Sequence, residues 1–243
     1  MLQTMFAVVK VPHAINYGRY DYAFAWVTTF PVHATLPWHR HEADRIIICH
    51  EDGILIKTDS TGGVESLVFP KDTPTWYDAC LPGTLHKDDN PKPYPLHFTI
   101  IQFKPEVLSR ELESFISEES KGSGVLLENQ FIAARNVVLE AQSTFPPRVT
   151  PYDRVIIADH DCTLVQESSE GVLNPINLKK RIPLWIDADD LTQPYSTTNV
   201  GDDDVTLTVI AFKPGAIIKA SPEAGAQALT MATEEELRGL SDL

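Results

Sequence analysis

Pro37-Trp38-His39-Arg40-His41-Glu42-Ala43-Asp44-Arg45-Ile46-Ile47-Ile48 joins two kinds of residue in one short run. Its second half returns later as Asp153-Arg154-Val155-Ile156-Ile157, at an offset of 109 residues. Trp76-Tyr77-Asp78-Ala79 returns at the same offset as Trp185-Ile186-Asp187-Ala188, and Phe103-Lys104-Pro105 as Phe212-Lys213-Pro214. Pro37, Gly62 and Asn90 fall on Pro146, Gly171 and Asn199. Roughly 20 identities over about 70 positions need no gap, self-similarity of the kind that marks two copies of one structural unit. The histidine half does not return. Arg148, Thr150 and Tyr195 stand where His39, His41 and His86 stand in the first copy.

Each copy reads as β. Arg45 to Cys49, Ile54 to Thr58 and Phe98 to Phe103 are short β-branched or aromatic runs bounded by Asp-Gly, Gly-Gly and Pro clusters. Many short strands without alternating helices indicate sandwiches or barrels. Two exceptions are expected. Leu108, Leu112, Phe115 and Ile116 fall at helical spacing between Pro105 and Ser120, and Lys121-Gly122-Ser123-Gly124 then ends that linking helix. A short C-terminal helix opens at Thr233, with Glu236 completing a capping box. The implied units are residues 1–118, carrying the histidines, and residues 119–243.

The composition bounds the partners. The chain has 243 residues, 43% hydrophobic and 22% charged, with a net charge of −14. That charge opposes nucleic acid and anionic membrane surfaces as partners. No apolar run approaches the roughly 20 residues of a membrane span, and the N-terminus lacks the pattern of a secretory signal. Cys49, Cys80 and Cys162 are odd in number and widely spaced, which favours reduced thiols and a cytoplasmic setting.

Side chains alternate along a strand, so His39 and His41 share a face. His86 joins them within Pro82-Gly83-Thr84-Leu85-His86-Lys87-Asp88-Asp89-Asn90. Three neutral imidazoles form one side of a shell that a first-row divalent metal accepts, usually with a carboxylate and open positions. His13, His33, His50, His97 and His160 have no partner at ligand spacing. Trp76 and Trp185 occur in both copies and read as core.

These two stretches resemble the motifs of the cupin superfamily. The first, H-x-H with a nearby Glu and then Gly, looks like Pro37 to Gly53; the second, P-x-G-x-x-H-x-x-x-N, looks like Pro82 to Asn90. The local match is to small cupins of the beta-alanine degradation type. With its second copy, the chain resembles an all-β bicupin: two tandem antiparallel jelly-roll barrels, the second without a metal site. Pro82 directly precedes Gly83, where the family pattern has a residue between them. The family's glutamate is replaced by Arg45 and Ile46, and alignment of the following strand puts Asp44 in the carboxylate slot. Asp44 nevertheless persists as Asp153 in the copy without histidines, as a structural residue would. Glu42 is the alternative ligand.

The resemblance implies a divalent transition metal on His39, His41, His86 and Asp44: iron first, with zinc, manganese or nickel as alternatives. Arg45, Trp38 and Lys87 are the candidate substrate-binding residues, with Asn90 as a further supporting candidate; ordering the loop after His86 is the alternative role for Lys87 and Asn90. The expected function is a metal-dependent enzyme acting on a small organic metabolite, of the non-haem dioxygenase, isomerase or lyase type. A non-catalytic small-molecule binding or sensing protein is the alternative, and a purely structural protein, with its histidines tied up in hydrogen bonds, the third reading. A small-molecule ligand and a homodimer are the expected partners. For the second barrel, Arg148, Thr150 and Tyr195 suit no divalent cation; a filled structural barrel is expected, with anion binding through Arg148 as the alternative.

Overall fold

The structure, a computed structural model, describes residues 23–103, 124–149, 152–187, 194–213, 230, 231 and 233. Within them every regular element is a strand. The first half contributes β1 (Ala23–Phe30), β2 (Thr35–Arg40), β3 (Arg45–Cys49), β4 (Gly53–Asp59) and β5 (Val64–Phe69). It continues with β6 (Pro74–Tyr77), β7 (His86–Asp89) and β8 (Leu96–Phe103). The second half opens with β9 (Val125–Glu128), β10 (Ile132–Leu139), β11 (Thr144–Arg148), β12 (Arg154–Ala158) and β13 (Cys162–Ser168). Then come β14 (Leu173–Leu178), β15 (Leu184–Ile186), β16 (Tyr195–Asn199), β17 (Val205–Phe212) and the two-residue β18 (Thr230–Met231). The linking helix, the division at residue 118 and the C-terminal helix after Thr233 lie outside the described residues.

The strands make four antiparallel sheets. In the first half their orders are β1-β8-β3-β6 and β2-β7-β4-β5, with β18 added beside β2. In the second half they are β10-β17-β12-β15, with β9 added beside β10, and β11-β16-β13-β14. Each half thus has the first and last of eight strands paired in one sheet and the second and seventh in the other, the order of a jelly roll. β18, from beyond residue 213, pairs Met231 with His39 and Thr230 with Arg40, so these two residues add a strand to the first barrel.

Alternation decides what each strand buries. On β3 and β8, Ile46, Ile48, Ile101 and Phe103 pack against Val155, Ile157, Ile210 and Phe212 of the second half. Their neighbours Ile47, Cys49, Phe98 and Ile100 pack in a separate cluster inside the first barrel, with Phe69 and Leu96. Strands buried on both faces read as continuous apolar runs, which is why Ile46-Ile47-Ile48 shows no polar alternation. Trp76 and Trp185 occupy this shared layer, as expected. Trp76 stacks 5.4 Å from Phe131, and Trp185 lies 5.6 Å from Phe212 at an interplanar angle of 10°.

Two asparagines hold equivalent corners. The Asn90 amide donates to the carbonyls of Phe30, Pro31 and Tyr94 and accepts from the Lys92 amide. Asn199 repeats the pattern with Leu139, Glu140, Asp203 and Gly201. Both asparagines are buried, so apolar replacement leaves carbonyls and an amide without their partner. Asn90→Ala and Asn199→Ala will each lower stability by roughly 1–3 kcal/mol or more, read from urea unfolding. Losses below half a kcal/mol would show that the corners need no side chain.

Candidate metal centre

His39 reaches its place through a bulge. β2 pairs with β7 as Thr35 with Asp89 and Leu36 with Asp88, then shifts register so that His39 faces His86. An extra residue of this kind bends a strand and re-aims its side chains. His41 follows β2, and its carbonyl accepts the Cys80 amide at 2.8 Å, tying it to the loop before β7. Gly83, with φ of 81°, makes the turn in that loop; this left-handed backbone favours glycine.

The structure brings the three histidines together. One ring nitrogen from each of His39, His41 and His86 lies within 4.8 Å of the others. Ring centroids are 4.2 Å apart for His39 and His86 and 5.0 Å apart for His39 and His41. His39 Nδ1 lies 2.6 Å from the Pro37 carbonyl. A carbonyl only accepts, so Nδ1 is the donor in this contact, and in the neutral ring Nε2 is the nitrogen left with a lone pair. That Nε2 is buried and has no hydrogen-bond partner. Burial, followed by the neighbouring His39, pushes His86 down to about 4, so at neutral pH it holds the uncharged form that binds metals.

One carboxylate comes with them. Asp88 Oδ2 lies 3.4 Å from His39 Nε2 and 3.7 Å from His86 Nε2. Asp88 stands two residues after His86 on β7, so strand alternation puts both on one face. Sequence reasoning passed over it, although period two counted from His86 points to it. Its equivalent in the second copy is Thr197, so this carboxylate goes where the histidines go.

Asp44 sits elsewhere. Its Oδ1 accepts the Ala79 amide at 2.7 Å, and its carbonyl accepts the Phe103 amide. The second of these recurs between Asp153 and Phe212. Glu42 is paired with Arg40 at 2.9 Å. Arg45 is 7% exposed and its guanidinium carbon lies 5.5 Å from the centre of the Tyr77 ring. Its Nε and one terminal nitrogen have no hydrogen-bond partner. Burial lowers its pKa from the usual arginine value, opposed by Cys80, Asp88, Tyr77 and Asp44. Trp38 and Lys87 meet each other, with Lys87 Nζ 5.8 Å from the indole centre. As immediate neighbours of His39 and His86 on their strands, they point to the opposite sheet face. The remaining described histidines with polar partners are tied up elsewhere: His50 bonds Asp72 and Thr99, His97 bonds Glu51, and His160 pairs with Asp159.

The donor set fits a metal. Three imidazoles and a nearby carboxylate match the chemistry of divalent iron, zinc, manganese or nickel, and an orphaned buried nitrogen is stabilised by such an ion.

No protein-family model matches the chain, and no curated protein matches it. Solved structures do. AerE from Microcystis aeruginosa has a TM-score of 0.56 at 12% identity, over 79% of this chain and 88% of that one. A salicylate 1,2-dioxygenase from Pseudaminobacter salicylatoxidans has a TM-score of 0.51 at 9% identity, over 79% and 71%. Vicilin from Corylus avellana (hazelnut) has a TM-score of 0.50 at 11% identity, over 78% and 74%. Identities this low speak for the fold, and with the jelly-roll strand orders they give one answer. The chain shares with these structures an all-β fold of tandem jelly-roll barrels, the fold that its resemblance to the cupins implies.

Proposed function

We propose that the first barrel binds a divalent transition metal through His39, His41 and His86, and that the protein is an enzyme acting on a small organic acid there. The observation that carries this reading is the convergence of three ring nitrogens within 4.8 Å, one of them a buried Nε2 without a hydrogen-bond partner. The bound metal would supply Lewis acidity or, if it is iron, redox chemistry toward dioxygen. Iron is the first candidate, and the reaction classes are non-haem dioxygenase, isomerase and lyase. The likeness to a salicylate 1,2-dioxygenase, a variant of which is known in complex with gentisate, supports an organic acid as substrate.

The chain's own residues have separable roles on this reading. Asp88, beside two of the imidazoles, completes the donor set or holds a proton at Oδ2. Arg45 offers an unsatisfied guanidinium to a substrate carboxylate, which Arg binds in a two-pronged geometry. The apolar side chains of the barrel limit water. The chain is on this reading an internal duplication with units 1–118 and 119–243, working in the cytoplasm. Its three free thiols suit a reducing compartment.

Metal analysis tests the reading. The purified protein will carry close to one transition-metal equivalent per chain, and His39→Ala and His86→Ala will lose it. Absence of stoichiometric metal, or unchanged content in both variants, would overturn the reading. The two aspartates will behave differently. Asp88→Asn will weaken metal binding by about 10- to 100-fold, measured by competition with a chelator. Asp44→Ala will keep the metal but lower stability by roughly 1–3 kcal/mol. A reversed pattern would reinstate Asp44 as the ligand.

A further inference from the structure

The second barrel is not filled. It encloses a cavity of about 60 Å³ lined by Arg135, Arg148, Arg154, Gln166, Tyr195 and Thr197 above an apolar floor. Every charged side chain among its described lining residues is an arginine. We propose that this cavity is a binding site for a small oxyanion, a carboxylate or inorganic phosphate. The site goes beyond the metal-centre reading and does not depend on it.

Comparison of equivalent positions carries the inference. Arg148 faces Tyr195 across β11 and β16 after the same register shift that sets His39 opposite His86. Arg154 is the equivalent of Arg45, Arg135 of Trp26 and Thr197 of Asp88. Relative to the first barrel, the second therefore gains a guanidinium in place of an indole and another in place of an imidazole. It loses the carboxylate that stands beside the metal-ligand candidates. The polarity of the interior is inverted, from a set that suits a cation to one that suits an anion.

The three arginines are graded in depth. Arg154 is buried, and its guanidinium donates at 3.3 Å to the Asp187 carbonyl. Arg135, on β10, is half-buried beside the apolar floor. Arg148 is exposed at the mouth, held over the Phe145 ring at 5.2 Å. Arginine stays charged in proteins, and no described carboxylate lines the cavity beside the three guanidinium groups. Their planar forks match carboxylate and phosphate oxygens. Gln166, Thr197 and Tyr195 add neutral polar groups to the wall, and the apolar floor limits the occupant's competition with water. The size fits. At about 10–15 Å³ per water, the cavity takes roughly four or five waters, or an anion with a similar number of heavy atoms.

Calorimetric titration of the full-length protein with inorganic phosphate and with acetate, each against chloride at matched ionic strength, tests the proposal. Saturable binding of at least one anion is expected; which one binds identifies the source chemistry. Arg148→Gln and Arg135→Gln will each weaken that binding by about tenfold or more, while His39→Ala will leave it within twofold. Arg148 lies at the exposed mouth, so its variant decides the matter if Arg135→Gln does not fold. No saturable binding of either anion, or binding within twofold of wild type in Arg148→Gln, overturns the proposal. So does binding that His39→Ala abolishes, because it then belongs to the first barrel.

Discussion

The packing of two sheets, β1-β8-β3-β6 on β15-β12-β17-β10-β9, is the constraint on which the remaining structure depends. Ile46, Ile48, Ile101 and Phe103 from one half and Val155, Ile157, Ile210 and Phe212 from the other remove each other from water. Each such side chain gains about 1.5–3 kcal/mol from full burial. With one side chain in two committed to this layer, the other must face a barrel interior. Arg45 lies one residue before Ile46, so on β3 it must face inward with Ile47 and Cys49. Arg154 is placed by the same logic. The apolar layer thus delivers one buried guanidinium to each barrel, whatever that barrel binds.

The two interiors then diverge. In the first, a bulge in β2 and the loop before β7 collect three imidazoles, two of them beside Asp88; in the second, the same bulge carries Arg148 to Tyr195. Burying an imidazole nitrogen without a partner is unfavourable, as is burying a guanidinium with open donors, and the first interior holds both in His39 and Arg45. Such costs persist in a folded protein where a ligand or a reaction uses the group. On the two proposals, a cation would stabilise the first interior and an anion the second, so that one scaffold would serve two sites of opposite polarity.

Much of this was legible in the sequence, for reasons that can be named. The β-branched runs at Arg45–Cys49 and Phe98–Phe103 announced strands, and the offset of 109 residues announced two equivalent halves. The H-x-H spacing put His39 and His41 on one side of the chain, and His86 followed from the second motif. Asp44 was drawn in by alignment to the first motif, although its persistence as Asp153 already spoke for a backbone-holding role. The bond to the Ala79 amide supplies that role. Asp88 stands at a variable position of the second motif, and only period two along β7 marks it. The same period sets Trp38 and Lys87 on the other face. The cavity of the second barrel was not legible. Whether Arg135, Arg148 and Arg154 surround space or fill it depends on packing between two sheets, and no local pattern records that.

Anomalous scattering from crystals of metal-loaded protein, collected on either side of the metal's absorption edge, is the most direct measure of the first site. A single peak about 2.1 Å from ring nitrogens of His39, His41 and His86, with none inside the second barrel, is the expected result. A peak at other residues, or none at the histidines in protein that retains stoichiometric metal, would contradict the assignment.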